Sequence, residues 1–125
     1  MLNSRIQRVE ELLQRELARV LSYELRDPRI PLVTVTRLKV SRDLGEALAF
    51  VSFLEEDEEK IKEAMKGLEA ATGFVKRLLA ARVDLKRLPD LHFKRDLSHA
   101  ETVRIDQLFH KIESERDPSE DDGKG

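Results

Sequence analysis

The chain has 125 residues, the usual size of a single domain, and contains no cysteine. Disulfide bridges, thiolate metal sites and cysteine nucleophiles are therefore excluded. Charged side chains interrupt the first residues, and no apolar run approaches the roughly 20 residues that a membrane-spanning helix requires. We expect a soluble, cytoplasmic protein with no export signal and no membrane partner.

Charge is distributed unevenly along the chain. The formal net charge is −2, from 23 basic and 25 acidic side chains. Residues 113–125 hold six of the acids and two of the bases, which leaves 21 bases and 19 acids in residues 1–112. The body is therefore net positive, and residues 76–95 carry seven bases against two acids. A local field of about +5 is typical of surfaces that bind phosphate.

The first segment has the apolar spacing of an amphipathic helix. Its apolar residues recur every three or four positions, at Ile6, Val9, Leu13, Leu17 and Val20. This pattern predicts a helix from Arg5 to about Tyr23. The pairs Asp27-Pro28 and Ile30-Pro31 then stop it, because proline lacks the amide proton and restricts the residue before it.

A hairpin of two strands is predicted next. Residues 32–40 include five β-branched side chains and alternate imperfectly between two faces, and Glu46 to Leu54 contains Phe and Val, which favour a strand. The residues Ser41, Arg42 and Asp43 between the two segments favour a turn. We therefore expect two antiparallel strands.

The rest of the chain is predicted as two helices, a strand and a last helix. The acids of residues 55–59 suit a helix start, and Gly73 indicates a joint between two helices, since glycine in a helix costs about 1 kcal/mol relative to alanine. A short strand around Leu91 and Phe93 follows. Ser98 and Glu101 form a capping-box pattern that predicts a helix from about His99 to Ile112. We place the domain at residues 1–112 and an acidic, disordered tail at 113–125.

The order helix, strand, strand, helix, helix, strand predicts an α+β fold, with a three-stranded sheet whose helices pack on one face and an additional C-terminal helix. It is also the order of elements in a type II KH-like domain. No repeat of solenoid length is present.

Several motifs resemble the bacterial ribosome-binding factor A family. The resemblance covers roughly residues 5–112, and its most specific parts are Asp27-Pro28-Arg29, the turn at residues 41–44, Ala71-Thr72-Gly73 and the segment from Pro89 to Ser98. It implies a KH-like fold in which an Ala-x-Gly helix kink replaces the usual Gly-x-x-Gly loop. The residues Ala71, Thr72 and Gly73 match that kink.

The resemblance also implies a function. Members of this family bind the immature small ribosomal subunit (30S) near the decoding region, support maturation of its 16S ribosomal RNA and are linked to growth in the cold. A Gly-x-x-Gly loop clamps about four nucleotides of single strand, and this chain lacks one. With only 5% aromatic residues, it also lacks a platform for stacking bases. We therefore expect it to contact folded RNA through phosphates and shape, as a monomer when off the ribosome.

Two groups of basic residues are the candidate RNA contacts. On the first helix, four arginines fall within an arc of about 80° beside the apolar face. A solvated face with pairs to Glu11 and Glu16 is the alternative explanation. The second group is the basic stretch from Lys76 to Arg95. The candidate RNA-binding residues are Arg5, Arg8, Arg15, Arg19, Lys76, Arg77, Arg82, Lys86, Arg87, Lys94 and Arg95.

Other kinds of site receive little support. His92, Asp96 and His99 have spacings that invite a metal interpretation, but they straddle a strand, a turn and a helix start. Asp43 and Asp96 are better explained as turn or capping residues. The sequence has no phosphate-cradling glycine loop, nucleophile elbow or paired-carboxylate motif, so we expect neither an enzyme nor a cofactor nor a small-molecule substrate. The alternative function is a protein-interaction module without direct RNA contact.

The composition of the tail makes a testable prediction. Removing the residues after Arg116 should leave the thermal midpoint of unfolding unchanged, because this segment has no large apolar residue with which to dock. Circular dichroism melts of the full chain and the truncated chain check it. A midpoint lower by many degrees would show that the domain boundary is wrong.

Overall fold

The fold is seen in a computed structural model, which describes residues 2–25, 27–28, 30–97 and 104–115. In these ranges the elements follow the predicted order. They are α1 (Leu2–Arg19), continued by a π-helical turn (Val20–Glu24), β1 (Val33–Val40), β2 (Glu46–Phe53), α2 (Glu58–Ala70), α3 (Thr72–Ala80), β3 (Asp90–Arg95) and α4 (Ile105–Glu115). The α+β prediction, with the element order of a type II KH-like domain and a C-terminal helix, is confirmed.

The sheet has the order β1-β2-β3, with β1 antiparallel and β3 parallel to the central β2. The alanines and the valine at 47, 49 and 51 of β2 join a core formed with α1, α2 and α3. Successive side chains of a strand point to opposite faces, so Leu48 and Phe50 face away from that core, yet both are buried. Helices α1 to α3 thus pack on one face of the sheet, as predicted, while the central strand β2 is buried on both of its faces.

A β-bulge explains the imperfect alternation of β1. Val35 pairs with Val51, and the register then shifts so that Arg37 pairs with Phe50. The extra residue moves the core-facing positions from Val33 and Val35 to Leu38 and Val40. Arg37, on the other face, lies over the ring of Phe50 with its guanidinium carbon 4.2 Å from the ring centroid.

Helix α2 begins within the acidic run, where the sequence predicted a helix start. The side chain of Asp57 accepts a hydrogen bond from the amide of Glu59 at 3.0 Å, and Glu58 and Glu59 lie in the first turn. These carboxylates face the positive end of the helix dipole. The acidic cluster therefore has a structural role at the helix start.

Helices α2 and α3 meet at Ala71, whose φ and ψ of −88° and 0° interrupt the helical pattern. The hydroxyl of Thr72 donates to the carbonyl of Leu68 at 3.0 Å across the joint. Gly73 lies inside α3, has no positive φ, and a Cβ placed on it would meet only the Arg77 Nη1 at 3.8 Å. The break therefore lies within the predicted Ala71-Thr72-Gly73 motif, at Ala71, and Gly73 has neither a conformation nor a close approach that a side chain would forbid.

The C-terminal helix begins later and ends later than predicted. Within the described residues α4 runs from Ile105 to Glu115, beyond the boundary placed at Ile112. Its residues Ile105, Leu108, Phe109 and Ile112 are half-buried and repeat at helical spacing. Ser98, His99 and Glu101, on which the capping prediction rests, lie outside the described residues, as does the tail from residue 116.

The geometry at Gly73 predicts that alanine is tolerated there. Gly73→Ala should raise the free energy of unfolding by about 0.5 kcal/mol, because it restricts the unfolded chain while adding only an ordinary contact in the fold. Gly45→Ala is the control, since its Cβ would lie 3.1 Å from Asp43 Oδ1. Urea denaturation of both variants measures the effect, and a large loss of stability in Gly73→Ala would contradict it.

Candidate nucleic-acid interface

The four arginines of α1 are all exposed. Within the described part of the chain, Arg5 and Arg8 make no ion pair, whereas Arg15 and Arg19 both contact Glu16. Helical periodicity places Glu16 three residues after Leu13 and four before Val20, on the apolar side of the helix. The carboxylate is accordingly buried, next to an exposed row of arginines.

Glu16 joins the two groups of candidate RNA contacts. Its Oε2 accepts from Arg15 Nε at 3.3 Å and from Arg19 Nη1 at 3.4 Å. Its Oε1 accepts from the Nε of Arg82, in the turn after α3, at 2.9 Å. The Nη1 of Arg82 also donates to Glu24 at 2.8 Å. We call Arg15, Arg19 and Arg82 the arginine cluster; it brings together side chains that are far apart in sequence.

The electrostatics of Glu16 follow from these contacts. The hydrogen bond from Arg82 is the largest influence and holds the pKa of Glu16 below its ordinary value of 4.5, against the opposing effect of burial. Arg15 and Arg19 act in the same direction. Glu16 is therefore ionised at neutral pH, and its charge is shared among three guanidinium groups.

Other members of the basic stretch act as links between elements. Lys76 Nζ lies 2.6 Å from Asp90 Oδ1, and Arg95 donates two hydrogen bonds to Glu58, at 2.6 and 3.1 Å. Asp90 and Arg95 are the two ends of β3. At roughly 3.3 Å per residue the strand separates these pairs by more than about 15 Å. The stretch from Lys76 to Arg95 is thus spread along the domain instead of forming one patch.

The remaining candidates are more accessible. Arg77 is exposed, with its guanidinium carbon 5.9 Å from the centroid of the half-exposed Phe74 ring. Lys86 and Arg87 are exposed in the segment between α3 and β3, and Lys94 is half-buried on β3. Within the described residues, none of these four makes an ion pair.

A groove between α2, β3 and α4 adds basic residues that the sequence did not single out. It encloses about 400 Å³ beside the helix joint. Its polar lining includes Lys62, Lys66, Thr72, His92 and Lys94, with Glu69 and Glu115, over an apolar floor of Met65, Leu91, Phe93 and Ile112. We call it the lysine groove. Lys62 and Lys66 are four residues apart and so share a helix face, but only the fold places that face beside β3.

The residues considered for metal binding or acid–base chemistry have structural partners. His92 Nε2 lies 2.7 Å from the buried carboxylate of Glu46 on the neighbouring strand. Asp96 accepts a hydrogen bond from the hydroxyl of Thr36. Asp43 accepts hydrogen bonds from Ser41 Oγ and from the Gly45 amide within its turn. The hydrogen bond from the Gly45 amide is the largest cause that lowers the pKa of Asp43. His99 lies outside the described residues.

The described ranges show neither a metal-binding cluster nor a membrane-spanning helix. No group of three or more histidine, aspartate or glutamate side chains there is placed to hold a metal ion. None of the helices in those ranges is long and apolar enough to cross a membrane.

Comparison with known proteins shows where the chain belongs. Residues 5–109 match the model of the family described as Ribosome-binding factor A. The chain belongs to the ribosome-binding factor A family. It is similar to the ribosome-binding factor A of Shewanella sediminis, with 42% identity over 90% of this chain and 78% of that protein.

Two structures of family members from Thermus thermophilus resemble the fold. The first, a crystal structure of ribosome-binding factor A, is 30% identical over 78% of this chain and 99% of that one, with a TM-score of 0.65. The second, a homology model fitted into a cryo-electron microscopy map of a complex with the 30S subunit, is 31% identical over 74% of this chain and 97% of that one, with a TM-score of 0.62.

The family match includes the arginine cluster and most of the lysine groove. Only the part of the groove contributed by Ile112 and Glu115 lies beyond residue 109. The joint at Ala71 also lies inside the match. Both basic surfaces are therefore formed almost wholly by the part of the chain that defines the family.

The hydrogen bonds to Glu16 predict how stability depends on pH. Because the pKa of Glu16 is lower in the folded protein, its contribution is complete above pH 4.5 and is lost as the pH falls through the folded value. Glu16→Gln should therefore destabilise the protein at neutral pH and weaken the loss of stability below pH 4.5. Urea denaturation across that range is the measurement, with the exposed Glu11→Gln as the control. Parallel pH curves for parent and Glu16→Gln would contradict this assignment.

Proposed function

We propose that this protein binds the small ribosomal subunit and contacts its 16S ribosomal RNA. The observation that carries the proposal is the similarity to the T. thermophilus protein fitted into the map of a 30S complex. The identity of 31% over 97% of that chain makes a common mode of attachment the simplest interpretation.

The surface chemistry supports contact with RNA phosphates. Arg15 and Arg19 are 59% and 54% exposed, so their guanidinium groups can reach a ligand while Glu16 holds them. Arginine donors in a planar fork match phosphate oxygens. The lysine groove offers further cations beside an apolar floor, next to the helix joint. These features suit folded RNA, recognised by its backbone and shape.

The finer function is that of a non-enzymatic assembly factor. In this proposal the protein acts in the cytoplasm on precursor 30S particles, supports processing and maturation of 16S ribosomal RNA, and contributes to growth in the cold. It works as a monomer off the ribosome and without a cofactor. Binding would act by stabilising one conformation of the immature RNA over others, which requires only a difference in affinity between them.

A protein-interaction module is the second candidate, and one feature favours it. Leu32 and Leu54 are 67% and 84% exposed, and a backbone hydrogen bond of 3.4 Å joins them at the end of the β1–β2 ladder. The acidic start of α2 follows directly in sequence, and such a surface repels phosphate. Under this alternative the leucines would meet a protein, and the arginine cluster would only maintain solubility.

Salt dependence separates the two candidates. Cosedimentation with purified 30S subunits should weaken steeply as salt rises, because each cation that meets a phosphate releases a counterion. Arg15→Ala with Arg19→Ala should reduce the slope of log affinity against log salt by about two. Lys60→Ala is the control, since Lys60 lies with Glu55 and Glu63 beside Pro28 and Pro31. Salt-independent binding that is lost in Leu54→Ala would instead identify the protein-interaction module.

A further inference from the structure

The arginine cluster has a geometry that separate surface arginines would lack. Three guanidinium groups, two from α1 and one from the turn after α3, converge on the buried carboxylate of Glu16. We propose that Glu16 is a positioning residue that combines Arg15, Arg19 and Arg82 into one binding site for RNA backbone phosphate. This inference rests on the proposed function and names the part of the surface that would confer its geometric selectivity.

Glu16 engages only some of the N–H donors of the three arginines. A guanidinium group has five N–H donors. Arg15 binds Glu16 through Nε and Arg19 through Nη1, so both terminal nitrogens of Arg15, and Nε and Nη2 of Arg19, make no hydrogen bond in the described residues. Arg82 uses Nε for Glu16 and Nη1 for Glu24, which leaves its Nη2. The carboxylate therefore engages one nitrogen of each arginine and leaves other N–H donors of each guanidinium for phosphate oxygens.

Charge alone does not explain this arrangement. The three arginines are accompanied by Glu16 and Glu24, so the local sum is only +1. A surface evolved for maximum positive field would not place a carboxylate at its centre. An apolar residue at the core-facing position 16 would also avoid the desolvation of a buried charge. The benefit of Glu16 is orientation, because it limits the rotamers of long side chains before the ligand arrives and so reduces the entropy lost on binding.

A positioning role and a pure charge effect predict opposite changes in the affinity of Glu16→Gln for 30S subunits. Glu16→Gln makes the surface more positive, so a charge effect would tighten binding to any polyanion. If Glu16 positions the arginines, the variant should bind 30S subunits roughly tenfold more weakly, as expected when hydrogen bonds between charged groups are lost. Its affinity for heparin, a polyanion without the fold of the RNA, should stay the same or rise.

Glu11→Gln is the matched control for this experiment. Glu11 is exposed on the same helix and makes no ion pair in the described residues, so the substitution changes charge equally without touching the cluster. It should bind 30S subunits at least as tightly as the parent. Glu16→Gln binding 30S subunits as well as Glu11→Gln does would overturn the positioning role.

Glu16→Gln could lose stability and, with it, its affinity for both 30S subunits and heparin, so a second variant is needed. Arg15→Lys with Arg19→Lys preserves the charge and alters only exposed side chains, but removes the planar forks. Weaker 30S binding with unchanged heparin binding supports the inference, and unchanged 30S binding overturns it. Failure of the parent protein to bind 30S subunits would overturn the proposed function itself, which is a different result from a defect confined to the variants.

Discussion

The parallel pairing of β2 with β3 determines where the basic residues lie. Parallel neighbours cannot be joined by a tight turn and need a crossover, here supplied by α2 and α3. The crossover brings the end of α3 back to α1, where Arg82 reaches Glu16. It also places α2 beside β3, which lets Lys62 and Lys66 face Lys94 across the lysine groove. Both basic surfaces are consequences of this one connection.

Ion pairs divide the basic residues into two kinds. Lys76 and Arg95 bridge elements through Asp90 and Glu58, and the pKa of Glu58 is lowered chiefly by its hydrogen bonds from Arg95. Such links fix α2 and α3 relative to β3 and leave less of each cation for a ligand. Arg15 and Arg19 are paired as well, yet more than half of each side chain is exposed. The sequence alone gives no way to tell the two kinds of basic residue apart. Their exposure and their ion-pair partners distinguish them.

Local pattern was enough to predict the elements and their order. The apolar spacing of α1, the β-branched β1 and the acidic start of α2 each identify an element from its own residues. Long-range pairing decided the rest. The bulge in β1 depends on its register with β2, so the sequence showed only an irregular alternation. At the helix joint the break falls at Ala71, because a glycine is permitted in a helix and does not by itself end one.

The candidate site was predictable in part for the same reason. Arginines on one face of α1 can be seen from helical spacing, and so can the position of Glu16 among apolar neighbours. That neighbourhood indicates a carboxylate buried beside the arginines. The partnership with Arg82 could not be predicted, since it joins residues 66 positions apart. Lys62 and Lys66 give no comparable signal in the sequence, because their helix also carries acids and has no net basic run.

The central claim is that this domain meets the small subunit with the surface organised by Glu16. A cryo-electron microscopy map of the full chain bound to purified 30S subunits tests it most directly. We expect Arg15, Arg19 and Arg82 within hydrogen-bonding distance of 16S ribosomal RNA phosphates, with Glu16 still beneath them. A complex in which these arginines face solvent, and Leu32 and Leu54 contact a ribosomal protein, would contradict it.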